Sequence, residues 1–345
     1  MLFNNIFSKS YDVVIVGAGP AGCILAKTLS KDCKTLLIDW SRIPRDKPCG
    51  GLLVEESKEF VKKLEMPDSV LSSPKTINMK YLDWDNNLEK TQKRDFFNVS
   101  RKEFDYWLLK IAKNSCKVSS NTKFIDFYEN PENINVLVEK DSRKRIIKTK
   151  YLIGADGALS FIRRRLAHKD MRYYFAIQEW IKSPQLEDFV FILDNEVTDF
   201  YSWLISKGEY LIVGSAIQRQ TNLNQRFETF KKKLKEKMNI EGRNVIREGS
   251  IIARPASIND IILCNEKIML VGEAAGLISP STGEGISFAM RSGEACAKAI
   301  NESFDNASAR YGELCEPLVE EIKDKIKKAN ILGIPEKRKE FMEGK

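Results

Sequence analysis

The amino-acid sequence predicts an α/β fold in which one domain is built on a parallel sheet and a second, α+β domain on an antiparallel sheet. Three observations support this prediction. An apolar strand, a glycine-rich turn and a helical pattern follow one another within residues 11–29. A second apolar run with a glycine-rich turn begins at residue 268. Between them, residues 168–260 contain several short strand-like runs and one helical stretch, which favours an antiparallel sheet.

The composition is that of an ordinary globular protein. The chain has 345 residues, 43% of them hydrophobic and 30% charged, which is enough to build two domains. The formal net charge is +8, and the basic clusters 163–165 and 231–233 are interpreted as solvated helix faces, with attraction to anionic lipid or phosphate as the weaker alternative. No basic stretch is interleaved with aromatic residues, so we predict no nucleic-acid partner.

The cysteines and the single histidine argue against several kinds of site. Seven cysteines lie without a CxxC or a Cys/His pair, which disfavours zinc and disulfides and indicates the reducing cytoplasm. The single histidine, His168, disfavours a Ser-His-Asp triad and a multi-histidine metal centre. We therefore predict no metal and expect a bound cofactor to carry the chemistry.

Membrane contact is expected to be peripheral if it occurs. No secretory signal is evident, and no apolar run approaches the ~20 residues that a membrane-spanning helix needs. The basic tail 336–345 could lie against lipid headgroups, but a solvated and frayed terminus is the expectation.

The first glycine-rich turn predicts a dinucleotide site. Residues 13–16 form an apolar strand, and Gly17, Gly19 and Gly22 then match G-x-G-x-x-G. These glycines permit a tight turn, approach of the backbone to a pyrophosphate, and close helix packing. Asp39 ends a second strand near the ~20-residue spacing expected of a carboxylate that binds ribose. The candidate residues of this first block are Gly17, Gly19, Pro20, Ala21, Gly22, Asp39 and Trp40.

Two distant segments resemble flavoprotein hydroxylases. "YLIGADGALSFIRRRL" at 151–166 resembles their G-A-D-G-x-x-S-x-x-R segment, and 267–297 resembles their second signature, G-D-A-A-G-x-x-x-P-x-x-G-E-G-I, with Glu273 where aspartate is usual. The resemblance implies FAD as the cofactor and a fold similar to that of p-hydroxybenzoate hydroxylase, with Glu273 at the flavin-side ribose. A helix that begins near Gly285 can direct its dipole at the flavin. The candidate residues of these blocks are Asp156, Gly157, Gly272, Glu273, Ala274, Gly276, Gly283, Gly285 and Ile286.

Two further motifs resemble the geranylgeranyl reductase family. "PRDKPCGGLL" at 44–53 is similar to its P-x-x-x-x-C-G-G motif, and "YSWLIS" at 201–206 partly matches its Y-x-W-x-F-P motif. The family saturates double bonds in polyprenyl chains. By this resemblance the candidate catalytic residues are Cys49, Gly50, Gly51, Tyr201 and Trp203. Cys49, Gly50 and Gly51 would also contact FAD, and Arg101 matches the arginine that opens a helix beside the FAD pyrophosphate in such flavoproteins.

The motifs divide the chain into three parts. A Rossmann-like FAD-binding domain comprises 1–75, 96–167 and 261–305, the substrate domain comprises 76–95 and 168–260, and 306–345 is a C-terminal helical segment. In the substrate domain we expect an apolar tunnel with the sheet as its floor and the helix 223–237 as its roof, lined above all by Tyr201 and Trp203.

The leading hypothesis is an FAD-dependent oxidoreductase that reduces C=C bonds of a polyprenyl (geranylgeranyl-type) lipid or isoprenoid. Hydride would come from FADH2, and a bound water, the flavin or Cys49 would supply the proton. The alternatives are an aromatic or polyketide monooxygenase of the same fold, a halogenase, and a non-catalytic flavin-bearing lipid-binding or redox-sensing protein. No second G-x-G-x-x-G occurs, so the electrons would come from transiently bound NAD(P)H or from a ferredoxin-like protein.

Overall fold

A computed structural model describes residues 4–7, 9–167 and 171–343, and His168 lies outside these ranges. The strands are β1 (Ser10–Val16), β2 (Thr35–Ile38), β3 (Leu52–Leu53), β4 (Leu71–Asp83), β5 (Leu88–Val99), β6 (Lys117–Ser119), β7 (Lys123–Glu129), β8 (Ile134–Lys140), β9 (Arg143–Gly154), β10 (Tyr173–Lys182), β11 (Asp188–Asp194), β12 (Thr198–Lys207), β13 (Tyr210–Gln218), β14 (Arg243–Ala253), β15 (Cys264–Asn265) and β16 (Ile268–Leu270). The α-helices are α1 (Asn4–Phe7), α2 (Pro20–Thr28), α3 (Glu55–Lys63), α4 (Arg101–Ala112), α5 (Phe161–Leu166), α6 (Leu223–Met238), α7 (Ile286–Glu302), α8 (Ala307–Leu332) and α9 (Pro335–Glu343).

The first sheet contains the predicted parallel strands, in the order β6-β2-β1-β9-β16. Apolar residues cover both faces of β1, where Val14 and Ile15 are fully buried, as expected for a strand between two helical layers. The register pairs Val16 with both Ile38 and Gly154. The turns that follow β1, β2, β9 and β16 therefore meet at one edge of the sheet, where ligands of open α/β sheets bind.

The second sheet has the order β14-β10-β13-β12-β11-β4-β5-β3. The predicted antiparallel sheet is confirmed, except that β11 and β4 pair in parallel. The short strand β3 pairs with β5 through Leu52 and Asn98. The turn 49–51 therefore lies where the chain enters the second sheet.

The prediction of an apolar tunnel between the second sheet and the helix at 223–237 is wrong. The helix is present as α6, but Phe227, Phe230 and Leu234 pack directly into a core with residues such as Leu204 and Val213. Side chains alternate between the two faces of a strand, so the face that carries Tyr201 and Trp203 is the opposite one, in a separate cluster. These two aromatic residues instead lie on the side of the glycine-rich turns.

The C-terminal segment is helical and well packed. Helix α8 continues through Pro317, and α9 follows it. The expectation of a frayed tail is wrong for the described residues up to 343, because they form α9 and Arg338 is only 1% exposed, while most of the other side chains of 336–343 are exposed as expected. The Arg338 guanidinium donates to both carboxylate oxygens of the fully buried Asp83 in β4, at 2.8 and 2.9 Å. No described helix is both long and apolar enough to span a membrane.

Arg338→Leu is expected to lower the free energy of unfolding by about 3 kcal/mol, because it leaves the buried Asp83 carboxylate without its ion-pair partner. Urea titration followed by circular dichroism measures the effect. Lys339→Ala, at an exposed position of the same helix, is the control. Equal midpoints for the two variants would show that the Arg338 ion pair does not hold α9 in place.

Candidate cofactor-binding and active site

The turn after β1 (residues 17–22, the cradle) requires glycine at positions 17 and 22. Gly17 has a φ of +109°, and a Cβ there would lie 2.3 Å from the carbonyl oxygen of Ala155. A Cβ on Gly22 would lie 2.0 Å from the carbonyl oxygen of Gly17. At Gly19, by contrast, a Cβ would meet nothing within 4 Å. Helix α2 begins here with Pro20 in its first turn and without a side-chain cap, so its N-terminal N–H groups face an open space that suits a pyrophosphate.

Asp39 connects this cradle to the turn after β2. One carboxylate oxygen accepts from the N–H of Ala18 at 2.8 Å, and the other accepts from the backbone and the hydroxyl of Ser41. The guanidinium of Arg45 lies 3.5 Å away. A carboxylate offers about four acceptor positions, so Asp39 can also accept from a ribose hydroxyl. The neighbouring Trp40 is 74% exposed.

Asp156 carries an unsatisfied acceptor at the same edge of the sheet. One of its oxygens accepts from the N–H of Phe161 at 2.9 Å, while its buried Oδ1 has no hydrogen-bond partner. Burial raises the pKa of this carboxyl group. A buried acceptor without a partner is costly, so Asp156 fits a site completed by a ligand donor. Gly157 beside it has a φ of +77°.

The turn after β16 brings the second signature to the cradle. At Gly272, with a φ of +60°, a Cβ would lie 3.2 Å from the Cβ of Ala21 in α2. The longer Glu273 reaches out of this turn, and its Oε1 accepts from the N–H of Ala253 at 2.9 Å. Burial raises the pKa of the Glu273 carboxyl group. Ala274 is fully buried, and Gly276 adopts a φ of +83° that closes the turn.

The loop 280–285 leads from this turn into α7, which begins at Ile286 after an N-cap at Gly285 without a side-chain cap. Two residues of the second sheet hold the loop. The hydroxyl of Tyr201 donates to the carbonyl of Thr282 at 2.7 Å, and Nε of Arg254 donates to the carbonyl of Pro280 at 3.0 Å. Gly283 faces Tyr201, because a Cβ there would lie 3.2 Å from the Tyr201 hydroxyl.

The turn at Cys49 needs both of its glycines for packing against protein backbone and side chains. Gly51 has a φ of +66°, and a Cβ there would lie 2.3 Å from the carbonyl oxygen of Val99. A Cβ on Gly50 would lie 2.6 Å from Cδ1 of Ile205. The N–H of Gly51 donates to Sγ of Cys49 at 3.4 Å. The paired glycines therefore let the turn lie directly on β5 and β12.

Arg101 lies beside this turn at the start of α4. Its guanidinium forms a bidentate salt bridge with the buried Asp105, in which both N···O distances are 3.0 Å. Burial alone would lower the pKa of Arg101, but Asp105 and then Cys49 outweigh it and raise that pKa. Its predicted place at the FAD pyrophosphate stays a prediction, since the described contacts are with Asp105 and Cys49.

An aromatic wall on the second sheet faces the same region. Tyr201 stacks on Phe191, with ring centroids 4.1 Å apart and planes 12° apart, and lies 5.6 Å from the ring of Trp203. Burial, followed by the influence of Cys49, raises the pKa of Tyr201. The indole of Trp203 donates to Gln178 at 3.3 Å. The structure thus places Tyr201 against the loop 280–285 and the Cys49 turn against Ile205 of the same strand, with Trp203 next in the wall.

Near this site, the sequence interpretation missed three buried cations. Arg163, assigned above to a solvated helix face, is 3% exposed and donates to the carbonyls of Ala274 and Asp260. Arg254 is also buried, at 5% exposed. Lys207, at the end of β12, donates to the carbonyls of Gly50 and Val99, both at 2.7 Å. Such side chains are rarely buried. For Lys207 the sequence did contain a clue: it follows Tyr201, Trp203 and Ile205 at every second position of one strand, which places all four side chains on the same face.

Comparison with known proteins identifies the family of the chain. Residues 10–310 match the family model described as FAD binding domain. Protein CbrA of Escherichia coli O9:H4 (strain HS) is 32% identical over 342 residues, which cover 97% of this chain and 93% of that protein.

Two solved structures show the fold. A geranylgeranyl bacteriochlorophyll reductase-like protein from Thermoplasma acidophilum superposes with a TM-score of 0.81 at 21% identity, covering 94% of this chain and 88% of that one. PqsL of Pseudomonas aeruginosa, described as a "probable FAD-dependent monooxygenase", superposes with a TM-score of 0.72 at 14% identity, covering 95% and 98%. The predicted flavoprotein fold is confirmed, and the chain belongs to the FAD binding domain family of oxidoreductases.

Proposed function

We propose that this protein is a reductase that adds hydrogen across C=C bonds of a polyprenyl (geranylgeranyl-type) lipid or related isoprenoid. The observation that carries the proposal is that the Cys49 turn lies directly on β12, the strand that carries Tyr201, where Gly50 packs against Ile205 and accepts from Lys207. This turn and this strand carry the two motifs by which the sequence resembles the geranylgeranyl reductase family. The T. acidophilum neighbour, whose name refers to such a reductase, supports the proposal through its fold.

The chain's own residues would hold FAD along the carboxyl edge of the first sheet. The cradle at Gly17 and Gly19 suits the pyrophosphate, while Asp39, Asp156 and Glu273 offer acceptors to hydroxyl groups. When bound and reduced, FAD supplies a hydride. Tyr201 and Arg254 fix the loop 280–285, and the wall of Phe191, Tyr201 and Trp203 offers an apolar surface to a prenyl chain.

The test is product analysis under reducing, anaerobic conditions. Purified protein with FAD is incubated with geranylgeranyl lipid, and mass spectrometry is expected to show the gain of one H2 for each double bond reduced. The competing function is monooxygenation. Oxygen consumption coupled to hydroxylation of an aromatic acid, with no change in the prenyl lipid, would favour it and overturn the reductase proposal.

The electron donor is tested separately, by anaerobic mixing of the oxidised protein with NADH, NADPH or a reduced ferredoxin. Bleaching of the flavin absorbance within the turnover time identifies the donor. We propose that one of these two classes serves, because the sequence has no second G-x-G-x-x-G.

Cys49→Ser is expected to retain FAD and to lower the rate of alkene reduction or alter the product range, because the turn that carries Cys49 lies on β12, the strand of Tyr201 and Trp203. The flavin spectrum and the distribution of partly reduced products measure the two effects. Cys264→Ser, at a half-buried cysteine near α8, is the matched control. Unchanged turnover and products in Cys49→Ser would reduce Cys49 to a turn residue.

A further inference from the structure

A row of four residues leads from the aromatic wall to the edge of the second sheet. In the register of the antiparallel strands, Trp203 lies opposite Gly214, and Gly214 lies opposite Gln178. Gln178 in turn lies opposite Glu248 on β14, the edge strand. Residues directly opposite each other share a face of the sheet, so Glu248 lies on the face of Tyr201 and Trp203. Three strand spacings separate β14 from β12, a span of about 14 Å.

Hydrogen bonds connect this row to the carboxylate at its end. The indole of Trp203 lies directly over Gly214, where a Cβ would be 2.2 Å from its Cε2. The indole N–H donates to Oε1 of Gln178 at 3.3 Å, and Nε2 of Gln178 donates to Oε1 of Glu248 at 2.6 Å. The indole N–H of Trp180 donates to the same Glu248 oxygen at 2.8 Å. One oxygen of Glu248 therefore fixes both the amide and the second indole at this end of the wall.

The other oxygen of the Glu248 carboxylate, Oε2, has no partner among the residues that the structure describes, and Glu248 is half-buried. On the opposite face of the same two strands, the buried Glu179 lies 3.3 Å from Lys231 and 3.6 Å from Arg247. A carboxylate removed from water is normally paired in this way. A neutral acceptor would satisfy Gln178 and the indole equally well, so holding the wall together does not call for a negative charge at Glu248.

We propose that Glu248 is a specificity-determining residue that binds the polar end of the isoprenoid substrate and selects a hydroxyl group over a phosphate. Its Oε2 can accept a hydrogen bond from a hydroxyl, whereas a phosphate would bring a second negative charge to a half-buried carboxylate. From there the apolar chain lies over Trp203 towards Tyr201, which holds the loop 280–285. The inference rests on the proposed reductase function and deepens it, because it names the class of substrate, a prenyl alcohol.

The first test measures binding without turnover. Tryptophan fluorescence of the FAD-loaded wild type is titrated with phytanol, a fully saturated prenyl alcohol, and with phytanyl phosphate, so neither ligand has a double bond to reduce. Trp180 and Trp203 are the probes in the wall. We expect the alcohol to bind more tightly by about tenfold, the value of one hydrogen bond to a charged group. Equal affinities, a preference for the phosphate, or no binding of either compound would overturn the proposal.

Glu248→Gln separates the charge of this side chain from its place in the hydrogen-bond network. The glutamine oxygen can still accept from Gln178 and Trp180, while its NH2 group replaces Oε2. We expect the variant to bind phytanol about tenfold more weakly and to lose the discrimination against phytanyl phosphate. Glu209→Gln, at an exposed glutamate paired with Lys182, is the control and should match the wild type. A Glu248→Gln protein with the wild-type preference would show that Glu248 only ties the wall together, and the proposal would fail.

The second test is steady-state reduction of geranylgeraniol and geranylgeranyl phosphate. In Glu248→Gln the KM for geranylgeraniol should rise about tenfold while kcat stays unchanged, because Glu248 binds the polar end of the substrate and not the reacting bond. A wild type that reduces the phosphate with the lower KM would overturn the assignment of Glu248 alone. Failure of the wild type to reduce either compound would overturn the reductase function and leave the binding result standing.

Discussion

Gly19→Ala is expected to lower the affinity for FAD about a hundredfold while the fold stays intact. A Cβ at Gly19 meets no protein atom within 4 Å, so the apoprotein accepts the methyl group. It projects, however, into the open space at the N-terminus of α2, where the pyrophosphate would approach the free N–H groups. Losing about two charge-assisted hydrogen bonds costs roughly 3 kcal/mol, or about a hundredfold in affinity. Fluorescence titration with FAD and circular dichroism measure binding and fold.

Two matched variants show whether a loss of FAD affinity comes from a methyl group in the cofactor's space or from disruption of the fold. Gly312→Ala, in α8, also places its Cβ where no atom lies within 4 Å, but away from the cradle, and should leave affinity unchanged. Gly22→Ala would place its Cβ 2.0 Å from the carbonyl oxygen of Gly17 and should disturb both binding and fold. If Gly19→Ala binds FAD as tightly as Gly312→Ala does, the cofactor does not lie over this turn.

Lys207→Met is expected to change how stability depends on pH. Burial lowers the pKa of Lys207 from the ordinary value of 10.5 to about 7, whereas in the unfolded chain the lysine keeps its proton up to about pH 10.5. Between these values the unfolded state binds more protons, so the unfolding free energy of the wild type rises with pH. Relative to Lys207→Met, it should rise by about 1.4 kcal/mol for each pH unit from 7 to 10.

Urea denaturation of both proteins at pH 6, 7, 8 and 9 measures this difference. Lys58→Met is the control: Lys58 is also buried, and although burial alone would lower its pKa, Asp95 and Glu55 raise it, so no such slope is expected in this window. A difference between wild type and Lys207→Met that stays constant with pH would mean that the buried lysine keeps an ordinary pKa.

Local patterns predicted the cofactor side of the molecule. A strand, a G-x-G-x-x-G turn and a helix specify their own geometry, and the glycine at 17 leaves room for the carbonyl of Ala155, which directly follows the strand that pairs alongside. The helix at 223–237 was also found from its own pattern. The face of the sheet that this helix covers was not predicted. Alternation along the strand places Tyr201 and Trp203 on one face and Leu204 on the other, but it does not say which face meets the helix.

The residues that sequence reasoning missed depend on partners far along the chain. The segment around Arg338 is rich in charge and resembles a solvated tail, yet its partner Asp83 lies in a strand of the second sheet. Lys207 has the same character, because its acceptors are Gly50 and Val99. The spacing of Lys207 along β12 indicates the face on which it lies, but only the assembled fold shows that it is buried and which carbonyls it binds.

The central claim is that the reduced flavin in this site transfers hydrogen to a prenyl double bond. The most direct test is anaerobic reoxidation: protein reduced with dithionite, freed of excess reductant, is mixed with geranylgeranyl lipid while the flavin absorbance is followed. We predict that the oxidised spectrum returns and that each flavin reoxidised yields one saturated double bond. A flavin that stays reduced with every prenyl lipid, but is reoxidised by oxygen while an aromatic acid is hydroxylated, would contradict the claim.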